Sequence, residues 1–189
     1  MIKLENVSKH YGKNTVLDNI SFEINDGQRV YISGASGVGK TTLIRIIAGL
    51  EHCVGNVFVD KKVALMFQES RLFDNLSAIE NVLCVCNKVG DAEREKAKDL
   101  LARLGLSDDI NTLAKELSGG MAQRVALART LMAERDILIL DEPFSALDPS
   151  TKKLAVDLID TYCKKGRTLI LISHVEGDKE LLCDKEIAL

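Results

Sequence analysis

The sequence has no tryptophan and only two prolines, Pro143 and Pro149, and neither a low-complexity tract nor an internal repeat interrupts it. It also has no excess of positive charge. Lys and Arg number 25 against 28 Asp and Glu, a formal net charge of −3, so no global basic field draws nucleic acid or anionic lipid. No stretch approaches the roughly 18 apolar residues of a membrane span. At the N-terminus Lys3 and Glu5 break the apolar character that a signal-peptide core requires, so Asn6-Val-Ser and Asn75-Leu-Ser match the glycosylation pattern by chance. A cysteine framework is missing too. Five is an odd number, Cys84-x-Cys86 is the one close pair, and no zinc spacing emerges, so the thiols are read as reduced, buried, small apolar residues of a cytosolic protein. What remains is 189 residues, 46% of them hydrophobic. That is ample for a core, excludes disorder, and fits one domain or one domain with a small inserted subdomain.

Short β segments are predicted at Ile2–Asn6, Ser21–Ile24 and Val30–Ser33, split by turns at Tyr11–Asn14 and Asn25–Gly27. From Lys40 the period changes: Leu43, Ile46, Ile47 and Leu50 recur at helical spacing, and Gly49 is the expected stop. Val57–Val59 and Val63–Phe67 read as strands again. Residues 69–117 show no β run. Their charged stretch Asp91–Asp99 is a solvated helix face, with Ala97, Leu100, Leu101 and Leu104 turned inward. Ile137–Leu140 and Leu169–Ile172 are short apolar runs suited to central parallel strands covered on both faces, with a helix over 151–164 between them. The pattern implies an α/β fold with a mostly parallel sheet, a small N-terminal antiparallel β portion and an inserted α-helical subdomain. The core is assigned to 1–68 and 118–189 and the insert to 69–117.

Gly34-Ala35-Ser36-Gly37-Val38-Gly39-Lys40-Thr41-Thr42 fits G-x-x-x-x-G-K-[ST] directly after a strand and directly before a helix, the context of a phosphate-binding loop. Its glycines let backbone N–H groups turn inward around a phosphate, and the helix aims its partial positive end at the same anion. Lys40 adds a full charge near terminal phosphates, and the Thr41 hydroxyl can ligate Mg²⁺. Ile137–Glu142 ends a buried strand in two acids at the sheet edge where ligands of open α/β sheets bind. Asp141 is placed to hold Mg²⁺ through water, and Glu142 to orient and deprotonate an attacking water. A third element, Leu117-Ser118-Gly119-Gly120-Met121-Ala122-Gln123-Arg124, joins an N-cap serine and exposed glycine amides to a helix with Met121, Val125, Ala128 and Met132 on one face. It reads either as a second anion-binding helix N-terminus or as a plain cap.

In this order, and over essentially the full length, these elements resemble the nucleotide-binding subunit of ATP-binding cassette (ABC) transporters, which has a P-loop NTPase core. The resemblance implies roles for further residues: Tyr11 stacks on adenine, Gln68 contacts Mg²⁺ and water, and His174 senses the γ-phosphate. Asp148, in Ser145-Ala-Leu-Asp148, contacts a second subunit. It implies ATP and Mg²⁺, with Glu142, His174, Gln68 and Lys40 as the catalytic set and Thr41, Gln68 and Asp141 around the metal. It also implies a head-to-tail dimer, with a second copy or a close paralogue, in which Ser118, Gly119, Gly120 and Met121 reach the partner's ATP through charge-assisted hydrogen bonds. Transmembrane permease subunits, and for an importer an extracytoplasmic substrate-binding protein, complete the set. No nucleic acid is expected, and the location implied is cytoplasmic, peripheral on the inner face of the cell membrane.

Met121 stands where the commonest signature has Gln; this form, and Gln68–Leu72, resemble the nitrate, sulfonate and taurine importer branch. The segment from Lys40 to Gln68 is short for the family, and the stretch after His174 leaves no expectation of a C-terminal regulatory domain. Arg71, Leu72, Phe73, Leu76, Ile79 and Val82 are shared between a groove for the permease and the core of the insert. Two alternatives stay open: a nucleotide-gated scaffold of a division or assembly complex, and an efflux subunit.

Overall fold

A computed structural model describes residues 1–175 and 177–189. They group into two units: Met1–Leu65, Arg135–Asp141 and Gly166–Leu189 form the first, and Met66–Glu134 with Glu142–Lys165 form the second.

The first unit opens with a long hairpin of β1 (Ile2–Tyr11) and β2 (Asn14–Ile24). After β3 (Arg29–Ser33) and α1 (Lys40–Ile47), β4 (Val54–Val59) pairs antiparallel with β1, making a three-stranded sheet of order β2-β1-β4. The predicted segments Ile2–Asn6 and Ser21–Ile24 are therefore fragments of longer strands. Asn6 and Asn19 take left-handed φ values of 51° and 50° where the ladder shifts register. The hydroxyls of Ser21 and Ser8 accept their N–H groups at 2.8 Å each. Such bulges reset the alternation on which a period-two reading depends. Gly55, at φ 98°, passes so close to the Asn6 carbonyl that a Cβ would overlap it, and β4 opens at Val54, ahead of the predicted Val57.

The second sheet has five strands, β5 (Val63–Met66), β6 (Ile137–Asp141), β7 (Thr168–Ile172), β3 and β8 (Lys185–Ala188), in that spatial order. The neighbours β6–β7, β7–β3 and β3–β8 are parallel. Every residue of β6 and β7 is buried, as the two apolar runs require. Leu43, Ile44, Ile46 and Ile47 of α1 join Ile2, Val30, Ile32, Ile137 and Ile170 in one hydrophobic cluster. Leu50, which its spacing places on the same stripe, lies outside it. Gly49 takes φ 72°, the Leu50 N–H returns to the Arg45 carbonyl at 2.8 Å, and the side chain is 59% exposed. The strand β8 and the short helix α6 (Asp178–Leu182) had no counterpart in the sequence reading.

The second unit contains α2 (Ala78–Leu83), α3 (Asp91–Arg103), α4 (Gly119–Met132) and α5 (Pro149–Cys163). On α3 the inward residues are Ala97, Leu100 and Leu101, with Leu104 buried just beyond, as its pattern predicts. The helix α4 differs: Val125, Ala126, Leu127 and Ala128 are all buried, so it is enclosed on successive faces rather than along one stripe, and Met121 is only half-buried. Ile79 and Val82 belong to the core of this unit, whereas Arg71 and Phe73 are exposed. None of the five cysteines is in a disulfide, but burial holds only for Cys163; Cys84, at the C-cap of α2, is exposed. No helix among the described residues is long and apolar enough to cross a membrane.

Asn81 organises the turn before α2. Fully buried, it accepts the Phe73 N–H at 2.8 Å and donates to the carbonyls of Phe73, Leu76 and Ser77 at 3.1 Å each. Asn81→Leu leaves these groups unpaired in a dry site and is expected to cost about 2–4 kcal/mol in urea unfolding. A loss below about 0.5 kcal/mol would contradict the packing described.

Candidate active site

In the first unit, the loop from β3 to α1 is shaped by glycines at φ values that favour glycine: 144° at Gly34, 79° at Gly37 and 110° at Gly39. A Cβ at Gly34 would come within 2.9 Å of Val38 Cγ1, and one at Gly39 within 2.8 Å of Leu17 Cδ2 and 2.9 Å of the Val16 carbonyl. The backbone therefore approaches its surroundings as no other residue allows. Lys40 is 6% exposed, and its ammonium donates to the carbonyls of Gly34 at 2.7 Å and Ala35 at 3.0 Å. Ala35, Ser36 and Gly37 at the loop's tip are exposed, and Val38 and Thr42 are half-buried.

The loop is tied to the sheet by one bond: Thr41 Oγ1 donates to Asp141 Oδ2 at 3.1 Å. Asp141 closes β6 and is 2% exposed. Burial pushes its carboxyl above the usual range, and the opposing pull of Thr41, Arg45, Lys40 and His174 does not cancel it. A buried carboxylate beside a hydroxyl is hard oxygen chemistry of the kind Mg²⁺ takes, and a divalent cation there would relieve the buried charge, so the residues fit the metal. His174 is exposed, two positions beyond β7. The turn bearing it is held by Ser173, whose carbonyl accepts the Tyr31 hydroxyl at 2.6 Å and whose own hydroxyl accepts the Val175 N–H at 3.1 Å. The Tyr11 ring is 47% exposed, with the Lys9 ammonium 4.9 Å from its centroid.

The second unit begins this part of the chain with Glu142, the residue after Asp141. It is buried and sits at φ 53°, a left-handed conformation uncommon outside glycine. The Ser118 side chain caps α4 by accepting the Met121 N–H at 3.3 Å, with Ser118 and Gly119 exposed and Gly120 half-buried. Gly120 lies against residue 146; a Cβ there would stand 2.7 Å from the Ala146 carbonyl oxygen. Asp148 caps α5, accepting the N–H groups of Ser150 at 2.9 Å and Thr151 at 3.1 Å. The hydroxyls of Ser150 and Thr151 also bond it and hold its carboxyl well below the usual carboxylate range. Gln68 is exposed, between two anchored neighbours. The Arg71 guanidinium lies 4.0 Å from the Phe67 ring centroid, and Arg129 donates to the carbonyls of Ser70 at 2.7 Å and Arg71 at 2.8 Å.

Two polar side chains of α4 escaped the sequence reading. Arg129 anchors the segment beside Gln68. Gln123, inside the motif but given no role, is buried and bonded to the segment that starts at Glu142. The one signal in the sequence was that both stand, with Arg124 and Thr130, in a helix of mostly small and apolar residues.

Residues 17–145 match the ABC transporter family. The chain belongs to the ABC transporter family, as an ATP-binding subunit. The cassette is 36% identical to the glutamine transport ATP-binding protein GlnQ of Escherichia coli (strain K12), covering 99% of this chain and 86% of that protein. It is 40% identical to the aliphatic sulfonates import ATP-binding protein SsuB 2 of Pseudomonas syringae pv. syringae (strain B728a), covering 100% of this chain and 69% of that protein. A dimeric bacterial ABC transporter cassette superposes with a TM-score of 0.92 at 30% identity, over 100% of this chain and 94% of that one. A dimeric cassette in a post-hydrolysis state, bound to ADP and Pi, gives 0.90 at 29% identity, over 100% and 94%. The cassette is thus an ATPase with the P-loop NTPase fold.

Because the folded cassette holds Asp141 protonated more readily than the unfolded chain does, stability falls as pH rises from the unfolded carboxylate range through the higher folded value. Asp141→Asn is expected to remove that slope, so that in EDTA at neutral pH the variant melts above the wild type. A variant melting lower at neutral pH would contradict the account of Asp141 as a desolvated charge.

Proposed function

We propose that this cassette is the ATP-hydrolysing subunit of a multi-subunit importer, acting in pairs that hold ATP between one copy's phosphate-binding loop and the other's signature. The observation that carries the reading is the Thr41–Asp141 hydrogen bond, which links the loop to the strand leading into Glu142. The match to an import ATP-binding protein for aliphatic sulfonates supports the direction of transport.

Amides of residues 34–39, the N-terminus of α1 and Lys40 hold the β- and γ-phosphates. On binding, the Lys40 ammonium exchanges its carbonyl partners at Gly34 and Ala35 for phosphate oxygens. Tyr11 stacks on adenine. Thr41 and Asp141, with Gln68, would hold Mg²⁺, which would neutralise phosphate charge. Glu142 takes a proton from water as that oxygen bonds to the γ-phosphorus. The bond from this phosphorus to the β–γ bridging oxygen breaks, releasing ADP and phosphate. His174 donates a hydrogen bond to the γ-phosphate, and Lys40 stabilises the transferred charge.

From the partner copy, Ser118, Gly119, Gly120 and Met121 complete the phosphate contacts, and Asp148 lines the shared surface. ATP closes the pair and hydrolysis opens it. Residues 1–68 and 118–189 serve as the nucleotide-binding core, and 69–117 as the helical subdomain that meets transmembrane permease subunits on the inner face of the membrane. The exposed Phe73 and Arg71 support that contact. An extracytoplasmic binding protein selects the solute. Met121 favours the sulfonate type among the importers matched.

Glu142→Gln is expected to bind ATP within a few-fold of wild type and to hydrolyse it at least about 100-fold more slowly, read by phosphate release. Hydrolysis at the wild-type rate would remove Glu142 from the role of base.

A further inference from the structure

Gln123, near the start of α4, is 4% exposed, yet its amide is fully engaged. Nε2 donates to the Glu142 carbonyl at 2.7 Å and to Ser145 Oγ at 3.0 Å, while Oε1 accepts the Ala146 N–H at 2.8 Å. The amide orientation follows from the partners, since only an N–H can serve a carbonyl and only an oxygen can serve the Ala146 N–H. Ser145 Oγ adds a second bond to the same Glu142 carbonyl at 3.2 Å. Three polar groups on residues 142–146 are thus held by a single side chain on a buried helix.

The residue at the head of this segment is the one with the unusual backbone. Glu142 stands at φ 53°, and a left-handed glutamate persists only where its surroundings over-determine it. We propose that Gln123 is the positioning residue for Glu142: by clamping the peptide that follows Glu142 it fixes the backbone angles that aim the carboxylate at water. The inference rests on the reading of Glu142 as general base. It gives Gln123 a task distinct from the phosphate contacts of Ser118 and Gly120, because its bonds run within its own chain.

Gln123→Glu tests it. The variant keeps an acceptor for the Ala146 N–H and loses the donor to the Glu142 carbonyl. The expected result is a fall in kcat of about 10- to 100-fold, the scale of a misplaced catalytic group. Affinity for a fluorescent ATP analogue should stay within about twofold, because the loop that binds phosphate is untouched. Gln123→Met, similar in length and lacking both contacts, repeats the test should Gln123→Glu fail to fold. The decisive comparison is the double variant. If Gln123 acts through Glu142, adding Gln123→Glu to Glu142→Gln slows hydrolysis no further. Slowings that multiply would overturn the proposal, as would a folded Gln123→Glu chain turning over at the wild-type rate while Glu142→Gln is slow. Were Glu142→Gln itself as fast as wild type, the assignment of the base would fail first.

Discussion

A carboxylate at the end of a strand with no exposed residue is the constraint on which the rest of this cassette depends. Every side chain of Ile137–Asp141 is buried, so Asp141 is carried into a dry setting by the apolar residues before it. Water would stabilise that charge better than the protein does. A positive charge beside it would offset that cost, and two groups of the phosphate-binding loop bear on it. Lys40 is drawn back onto its own loop, and the Thr41 hydroxyl already faces the carboxylate. Both charged groups thus stand in local contacts, Lys40 with the Gly34 and Ala35 carbonyls and Asp141 with the Thr41 hydroxyl.

The second unit has a comparable organiser in α4. Its first residues present backbone amides beyond the Ser118 cap, its second turn carries Gln123, and its last turn carries Arg129. A single 14-residue helix thus addresses the signature, the segment after Glu142 and the segment after Gln68. Its enclosure on successive faces buries small residues such as Ala126 and Ala128 beside Val125 and Leu127. Gly120 is the extreme case, since the space of its missing Cβ is taken by the Ala146 carbonyl.

What was legible in the sequence was chemistry encoded in consecutive residues. The glycine-spaced loop before α1, the two acids after an apolar run and the serine-glycine-glycine helix start each declare themselves within a few positions, and the structure places each at the expected end of an element. What was hidden depends on contacts between distant positions. The hairpin of β1 and β2 looked broken because bulges at Asn6 and Asn19 interrupt its alternation, and the serines that stabilise those bulges lie across the ladder. The edge strand β8 alternates partial burial with exposure and so shows no apolar run, and α6 is too short to establish a period. Leu50 fits the helical spacing, but the left-handed turn at Gly49 carries it outside. The partners of Gln123 lie 19 to 23 positions away, where no local motif points.

In the function proposed, ATP itself forms part of the surface between two cassettes, with Ser118 of one facing the loop of the other. Sedimentation of the Glu142→Gln chain in Mg²⁺ with ATP, and again with ADP, addresses it most directly, because slow hydrolysis preserves the γ-phosphate during the run. The account predicts a dimer with ATP that reverts to monomer with ADP, and a monomer with ATP when Ser118 is also replaced by Arg. A chain of the same mass in both nucleotides, although it binds each, would contradict it.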